Sequence, residues 1–391
     1  QRLLYNKLHM KKYKPLLPFF ICYFLLLLVN WMIMAFLPIY LKSVLLSDEK
    51  TGIIIGIYSI SSLIMVLPAG LFSDFFSPKK IAISGAFLFM LYCGGLYKYN
   101  GYYQLAVIAL IGGTGNSILN IILYSLFLKV MGLGVRGKKI ALFQVGAYLG
   151  FGAGPLIGGL IVQRYSFDML FISATGLSVI LFALIFTLKD CAPIRFSLKD
   201  YRVDLKDSRI FLLLLIVLMY ATHFGVEQTS FSLLMKEKLD FSGERIGLVF
   251  FILGVWMAAL APVAGHSFDR SNNVIVILIT GLLSSSLFQV ITGYVSNFEQ
   301  LIVIRILHTM GDALVIFTIG ILTSEFFPEQ RLGGHAGVVH ITRTIGIFLG
   351  NIGSGYFNHI FSYDRSLIIN GAYIFIFTLM TLRMIRKKFT L

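Results

Sequence analysis

Runs of residues without a single charge recur through the chain, at 15–41, 51–73, 99–128, 140–163, 169–188 and 271–298. An α-helix rises 1.5 Å per residue, so about 20 apolar residues cross the ~30 Å of hydrocarbon in a bilayer. Each run is long enough. Six further apolar stretches, 80–97, 210–235, 244–268, 300–324, 333–357 and 363–382, bring the total to twelve. The fold class this implies is an all-α membrane protein of twelve transmembrane helices. Composition agrees: 57% of residues are hydrophobic and 13% charged, about half the charge of an average soluble domain. The mean hydropathy is +0.85.

The first run follows Lys7 to Lys14 and so mimics a secretory signal. Its 27 residues exceed the apolar core of a signal peptide, however, and it reads as the first span. Placing the amino terminus in the cytoplasm puts 23 of the 33 Lys and Arg residues on cytoplasmic segments, with 8 outside and 2 inside spans. That bias expects both termini to be cytoplasmic. The net charge of +15 is then explained by basic helix ends facing anionic lipid, and no nucleic-acid partner is needed. Three cysteines, Cys22, Cys93 and Cys191, offer neither a disulfide framework nor a metal-ligand spacing. Neither a metal nor a cofactor is expected.

The chain reads as a duplicated half. Gly70-x-x-x-Asp74 closes the second span, and Gly265-x-x-x-Asp269-Arg270 closes the eighth, 195 positions later. Arg136 after the fourth span recurs as Arg331 after the tenth, and Gly150 and Gly154 of the fifth recur as Gly346 and Gly350 of the eleventh. Between the halves lies the longest polar segment, 189–209, with six basic and four acidic residues. The expected domains are a six-helix bundle (1–188), a cytoplasmic linker (189–209) and a second bundle (210–391). The two bundles would be pseudo-symmetric parallel repeats about an axis along the membrane normal.

With these features the sequence resembles the major facilitator superfamily over essentially its whole length. The family signature after the second helix, Gly-x-x-x-Asp-Arg-x-Gly-Arg-Arg/Lys, is met in part by Gly70, Asp74, Lys79 and Lys80; the Arg and the second Gly are replaced. The second-half copy keeps Gly265, Asp269 and Arg270 and lacks the basic tail. The resemblance implies a conformational latch on the cytoplasmic side; a simple turn between helices is the alternative. Gly150-x-x-x-Gly154-Pro155-x-x-Gly158-Gly159 in the fifth span matches fully the signature associated with antiporters, which favours export over import. Small residues at this spacing also serve plain helix packing. The buried Arg that many proton-coupled exporters hold in the fourth helix is absent; the run there is Gly112-Gly113-Thr114-Gly115-Asn116. Any proton coupling must lie elsewhere.

It is expected in the second half, where ionisable residues interrupt the spans. A charge near the bilayer midplane costs about 2.5 kcal/mol or more, so such groups face a bundle interior or a water-filled cavity. His223 and Glu227 lie four apart in the seventh span, Arg305, His308 and Asp312 share one face of the tenth, and His340 and Arg343 are three apart in the eleventh. Arg305-x-x-His308 with a following acid resembles the tenth helix of lactose-permease-type proton symporters, although Asp312 follows the His by four residues and not three. Glu227 and Asp312 are the expected proton carriers, with His308 and His223 as relays. A fixed charge network locking the helices is the other reading. Arg343 is a candidate for binding an anionic substrate group, and Arg305 and His340 are further substrate-binding candidates. The first half offers only neutral polar groups, Asn30, Asn116, Asn120 and Gln144, which either bind solute or hydrogen-bond one another and the backbone.

No nucleophile-base-acid set or phosphate loop is present, so an enzyme is not expected. The expectation is a monomeric secondary transporter in a bacterial cytoplasmic membrane, moving a small organic solute by alternating access with proton coupling. A lipid or lysolipid flippase on the same fold is the alternative.

Overall fold

The computed structural model describes residues 17–75, 77–131, 136–190, 207–271, 274–326 and 332–389; within these, side chains at 66–75, 125, 128–131, 136–144, 261–271, 324 and 332–337 are outside the description. Every regular element described is helical. The first half comprises α1 (Leu17–Met34), α2 (Leu37–Leu45), α3 (Asp48–Phe75), α4 (Pro78–Lys98), α5 (Tyr102–Met131), α6 (Arg136–Arg164) and α7 (Phe167–Ile185). The second comprises α8 (Ser208–Leu233), α9 (Gly243–Ser271), α10 (Val274–Thr292), α11 (Phe298–Phe326), α12 (Leu332–Ile360) and α13 (Tyr363–Lys388).

α1 and α2 are one apolar stretch broken in two. Pro38 lies in the first turn of α2, and its ring nitrogen has no hydrogen to give the Met34 carbonyl four residues back. The expected single first span therefore bends at Ala35–Phe36. Ten helical stretches among the described residues are long and apolar enough to cross a membrane. The other two spans are α3 and α12, of 28 and 29 residues, so the architecture is twelve spanning helices in two bundles. Large apolar side chains such as Ile64, Phe87, Val107, Val276 and Met380 lie on the outside, where lipid tails replace water. The protein is a multi-pass membrane protein.

The repeat extends to helix starts: Asp48 and Gly243 are 195 residues apart, and Tyr102 and Phe298, like Phe167 and Tyr363, are 196 apart. Packing repeats too. α6 lies on α1 through Gly150, Gly154 and Gly158, where a methyl group would stand 2.8 Å from the carbonyl oxygens of Phe24 (at Gly150) and Met32 (at Gly158). α12 lies on α8 in the same way, with Gly346 against the Leu218 carbonyl and Gly350 against that of Thr222. The Gly-rich run of α5 is likewise contact surface: Gly113 meets the Tyr58 carbonyl of α3 and Gly115 the Phe89 amide of α4. The fifth-span signature thus serves close helix packing, whatever else it does.

The bundles meet where α3 crosses α12 and α6 crosses α9. A methyl group added at Gly52 would lie 2.7 Å from the Gly355 Cα, and one at Gly243 would lie 2.9 Å from the Gly159 carbonyl oxygen. The Asn351 amide donates to Ser59 Oγ at 2.8 Å, and the Tyr363 hydroxyl donates to Asp48 at 3.2 Å. These contacts belong to the face away from the two chain ends. We expect Gly355→Val to force the bundles apart there. A cysteine at Ser59, buried beneath this contact, should react faster with an impermeant thiol reagent in that background; an unchanged rate would mean that the glycine contact does not hold this face shut.

Candidate functional site

Seven side chains on α8, α10 and α11 converge in the middle of the second bundle. Glu227 Oε1 lies 2.6 Å from Arg305 Nη1 and 3.0 Å from His308 Nε2. Asp312 stands 3.3 Å from His308 Nε2 and 3.5 Å from His223 Nε2. Its Oδ1 also accepts hydrogen bonds from the Tyr220 hydroxyl and from Ser285 Oγ, both at 2.6 Å. His223, Arg305, His308 and Asp312 are all buried, and Glu227 is largely so. The sequence placed five of these groups on helix faces; the fold brings the faces of the seventh and tenth spans together.

The imidazoles are fixed in tautomer. His223 Nδ1 is 2.6 Å from the Tyr220 carbonyl oxygen and His308 Nδ1 is 2.8 Å from that of Ser285. A carbonyl only accepts, so each Nδ1 carries a hydrogen. Both Nε2 atoms therefore face carboxylates, with a lone pair when neutral and a second hydrogen when protonated. Charge counting gives the same demand: two carboxylates and one guanidinium leave the group one positive charge short, and one added proton closes the gap. Arg305 is held further by Gln289 Oε1 at 3.3 Å and by the Phe231 ring, 4.5 Å from its guanidinium carbon. Removing such a cation from the bundle interior would leave the Glu227 carboxylate poorly compensated.

Arg343 stands apart from this group. Its guanidinium lies over the Phe224 ring at 4.9 Å, and its Nε is buried without a hydrogen-bond partner. It lines a cavity of about 350 Å³ between α8, α11 and α12, along with Tyr220, Phe224, Ile316, Thr323 and His340. Tyr220 connects the two regions, since its ring lines the cavity while its hydroxyl reaches Asp312. Tyr148 of the first bundle is in electrostatic reach of Arg343. His340, expected beside Arg343 on one face, lines the same cavity.

The neutral groups of the first half have local partners. Asn30 Oδ1 accepts from the Tyr58 hydroxyl at 2.5 Å, tying α1 to α3. Asn120 donates to Asn116 Oδ1 at 3.0 Å, the mutual pairing open to residues one turn apart. The Gln144 side chain lies outside the described residues, as do those of Gly70, Asp74, Gly265, Asp269 and Arg270. Lys79 Nζ donates to the Phe186 carbonyl at 2.6 Å, and the Lys80 amide donates to Ser77 Oγ at 3.2 Å, which caps α4. Sequence reasoning missed Tyr220, Ser285 and Gln289. No charge marks them, and only their partners reveal what they do.

Comparison with known proteins fits this architecture. The sequence pattern described as Major Facilitator Superfamily matches residues 19–228 and 210–389. The chain belongs to the major facilitator superfamily. Its similarity to an MFS-type transporter of Methanocaldococcus jannaschii is 20% identity over 331 residues, covering 82% of this chain and 85% of that one. Among solved superfamily structures, a mutant of the peptide transporter POT in complex with sulfate superposes with a TM-score of 0.83 at 14% identity, covering 96% of this chain and 94% of that one. The nucleoside transporter NupG gives 0.80 at 12%, covering 94% and 99%. The human organic anion transporter MFSD10 gives 0.70 at 16%, covering 95% and 99%. As a superfamily member the chain is a membrane transporter.

Proposed function

We propose that the protein is a proton-coupled secondary transporter of small organic anions, with both termini cytoplasmic in a bacterial cytoplasmic membrane and the bodies 1–188 and 210–391 rocking about the linker 189–209. The observation that carries this reading is the junction at Tyr220, where a buried acid-histidine group adjoins a cavity holding an arginine with spare donor capacity. Arg343 supplies a fixed positive charge, and a guanidinium suits the planar geometry of a carboxylate. The cavity volume suits a small solute better than a two-chain lipid, which disfavours a flippase. Two structurally similar proteins carry anions in their names, one as bound sulfate and one as an organic anion transporter.

A proton reaching Asp312 weakens its charge-assisted bond with Tyr220 and so alters a wall of the anion cavity. Proton and solute sites then communicate through one side chain. Exchange of solute for protons, with extrusion as the working direction, is what the fifth-span glycine signature implies.

A thermal-shift screen of carboxylates, sulfonates and phosphates tests the anion site. The best anion should stabilise the wild type, and Arg343→Gln should weaken its binding by about tenfold or more, equivalent to at least ~1.4 kcal/mol. A neutral sugar or nucleoside ligand that binds equally well to both forms would overturn the assignment of Arg343.

A further inference from the structure

We propose that His223, Glu227 and His308 also form a binding site for one divalent transition-metal ion of the zinc class. Their ligand atoms, the two Nε2 atoms and a carboxylate oxygen, all lie within 4.8 Å of one another. An ion about 2.0–2.1 Å from each ligand in tetrahedral geometry would place neighbouring ligands about 3.4 Å apart. His308 Nε2 and Glu227 Oε1 are separated by 3.0 Å, and the Asp312 oxygens stand 3.3 and 3.5 Å from the two Nε2 atoms. The site is therefore near the size of a coordination sphere before any ion enters.

A second observation points to a ligand. When neutral, His223 Nε2 and His308 Nε2, both buried, turn lone pairs toward the carboxylate oxygens of Asp312 and Glu227, an arrangement that a cation between them satisfies. Meanwhile both Nδ1–H groups are engaged by backbone carbonyls. A ligating histidine is usually held in this way, one nitrogen donating to an outer acceptor and the other bare toward the metal. Asp312, oriented by Tyr220 and Ser285, serves as fourth ligand or as outer carboxylate. Two imidazoles with a carboxylate suit Zn²⁺, Co²⁺ or Ni²⁺.

The charges set the pH dependence. Facing the site are Tyr220 and Glu227 from α8 and Arg305 and Asp312 from α11; Arg343 of α12 lies outside it but in electrostatic reach of Asp312, and α10 contributes only neutral Ser285 and Gln289. Coordination uses the Nε2 lone pairs, so binding requires neutral imidazoles and strengthens as pH rises, while the Arg305 charge lowers the affinity. One divalent ion adds the same charge as protons on both histidines. Ion and protons thus compete for the same lone pairs, and the inference rests in that respect on the reading of this group as the proton site. Bound metal is expected to block proton-driven transport.

Titration of purified, tag-free protein with CoCl₂ in detergent tests the site independently of transport. Expected are one ion per chain, the visible absorption of tetrahedral Co²⁺, displacement by ZnCl₂ and release of protons to an indicator. His308→Ala and His223→Ala should each weaken binding by about a hundredfold or more, beyond the 10–100-fold typical of outer-shell changes. If either variant fails to elute as a single species, the wild-type stoichiometry, spectrum and proton release decide the matter alone. Absence of saturable binding, an octahedral spectrum, or unchanged affinity in both variants overturns the proposal. Transport assayed with chelator present separates the two readings: proton-driven flux without Co²⁺ binding sinks only the metal site, and Co²⁺ binding without proton-driven flux sinks only the coupling.

Discussion

Asp312→Asn is expected to reduce proton-driven solute movement in proteoliposomes to the level of protein-free vesicles while solute exchange across the membrane, with no gradient, continues. The amide keeps the volume and can still accept from Tyr220 and Ser285, so the cavity wall survives. What it loses is the ability to change charge. Asp312 touches both histidines and, through Tyr220, the cavity, which makes it the point where a proton and a solute can affect one another. Glu227→Gln should act in the same direction, because Glu227 shares His308 with Asp312 and holds Arg305. Full gradient-driven movement in both amide variants, measured with the anion found by screening, would place coupling outside this group.

Arg305→Met is expected to cost about 3–5 kcal/mol of stability, the usual cost of removing one member of a buried ion pair. The size follows from what remains: Glu227 would keep its charge next to His308 alone, and Gln289 would lose its donor. Methionine fills most of the volume against Phe231, so the loss is electrostatic more than steric. The double variant Glu227→Gln with Arg305→Met should recover most of the stability, since two neutral side chains leave nothing uncompensated. Thermal unfolding in detergent measures both. If Arg305→Met unfolds at the wild-type temperature, or the double variant is no better than the single one, the pair is not the electrostatic anchor described above.

The spans were legible because hydrocarbon imposes a one-dimensional requirement, about 20 residues without charge, that can be counted along the chain. The halves were legible for a related reason: close helix approach needs small residues, so Gly150 and Gly154 recur at Gly346 and Gly350. Buried charges announced themselves by their cost, which is how His223, Glu227, Arg305, His308 and Asp312 were found. Their neighbours did not. Tyr220 and Ser285 are ordinary polar residues of apolar helices, and a hydroxyl becomes informative only when its acceptor is known. Sequence spacing likewise could not say that Arg343 would face a separate cavity, because that depends on how α12 is rotated against α8. The break after Met34 was readable from Pro38 but was hidden by the uninterrupted hydropathy of the run.

The central claim is that solute flux and proton flux are one process running through this group. Proteoliposomes loaded with the anion, with a trapped pH indicator and no initial pH difference, test it most directly. As the solute leaves down its gradient, the account predicts acidification of the vesicle interior by wild-type protein and none by Asp312→Asn, which should still exchange labelled solute for unlabelled solute supplied outside. Solute efflux at the wild-type rate with no change of internal pH would contradict it.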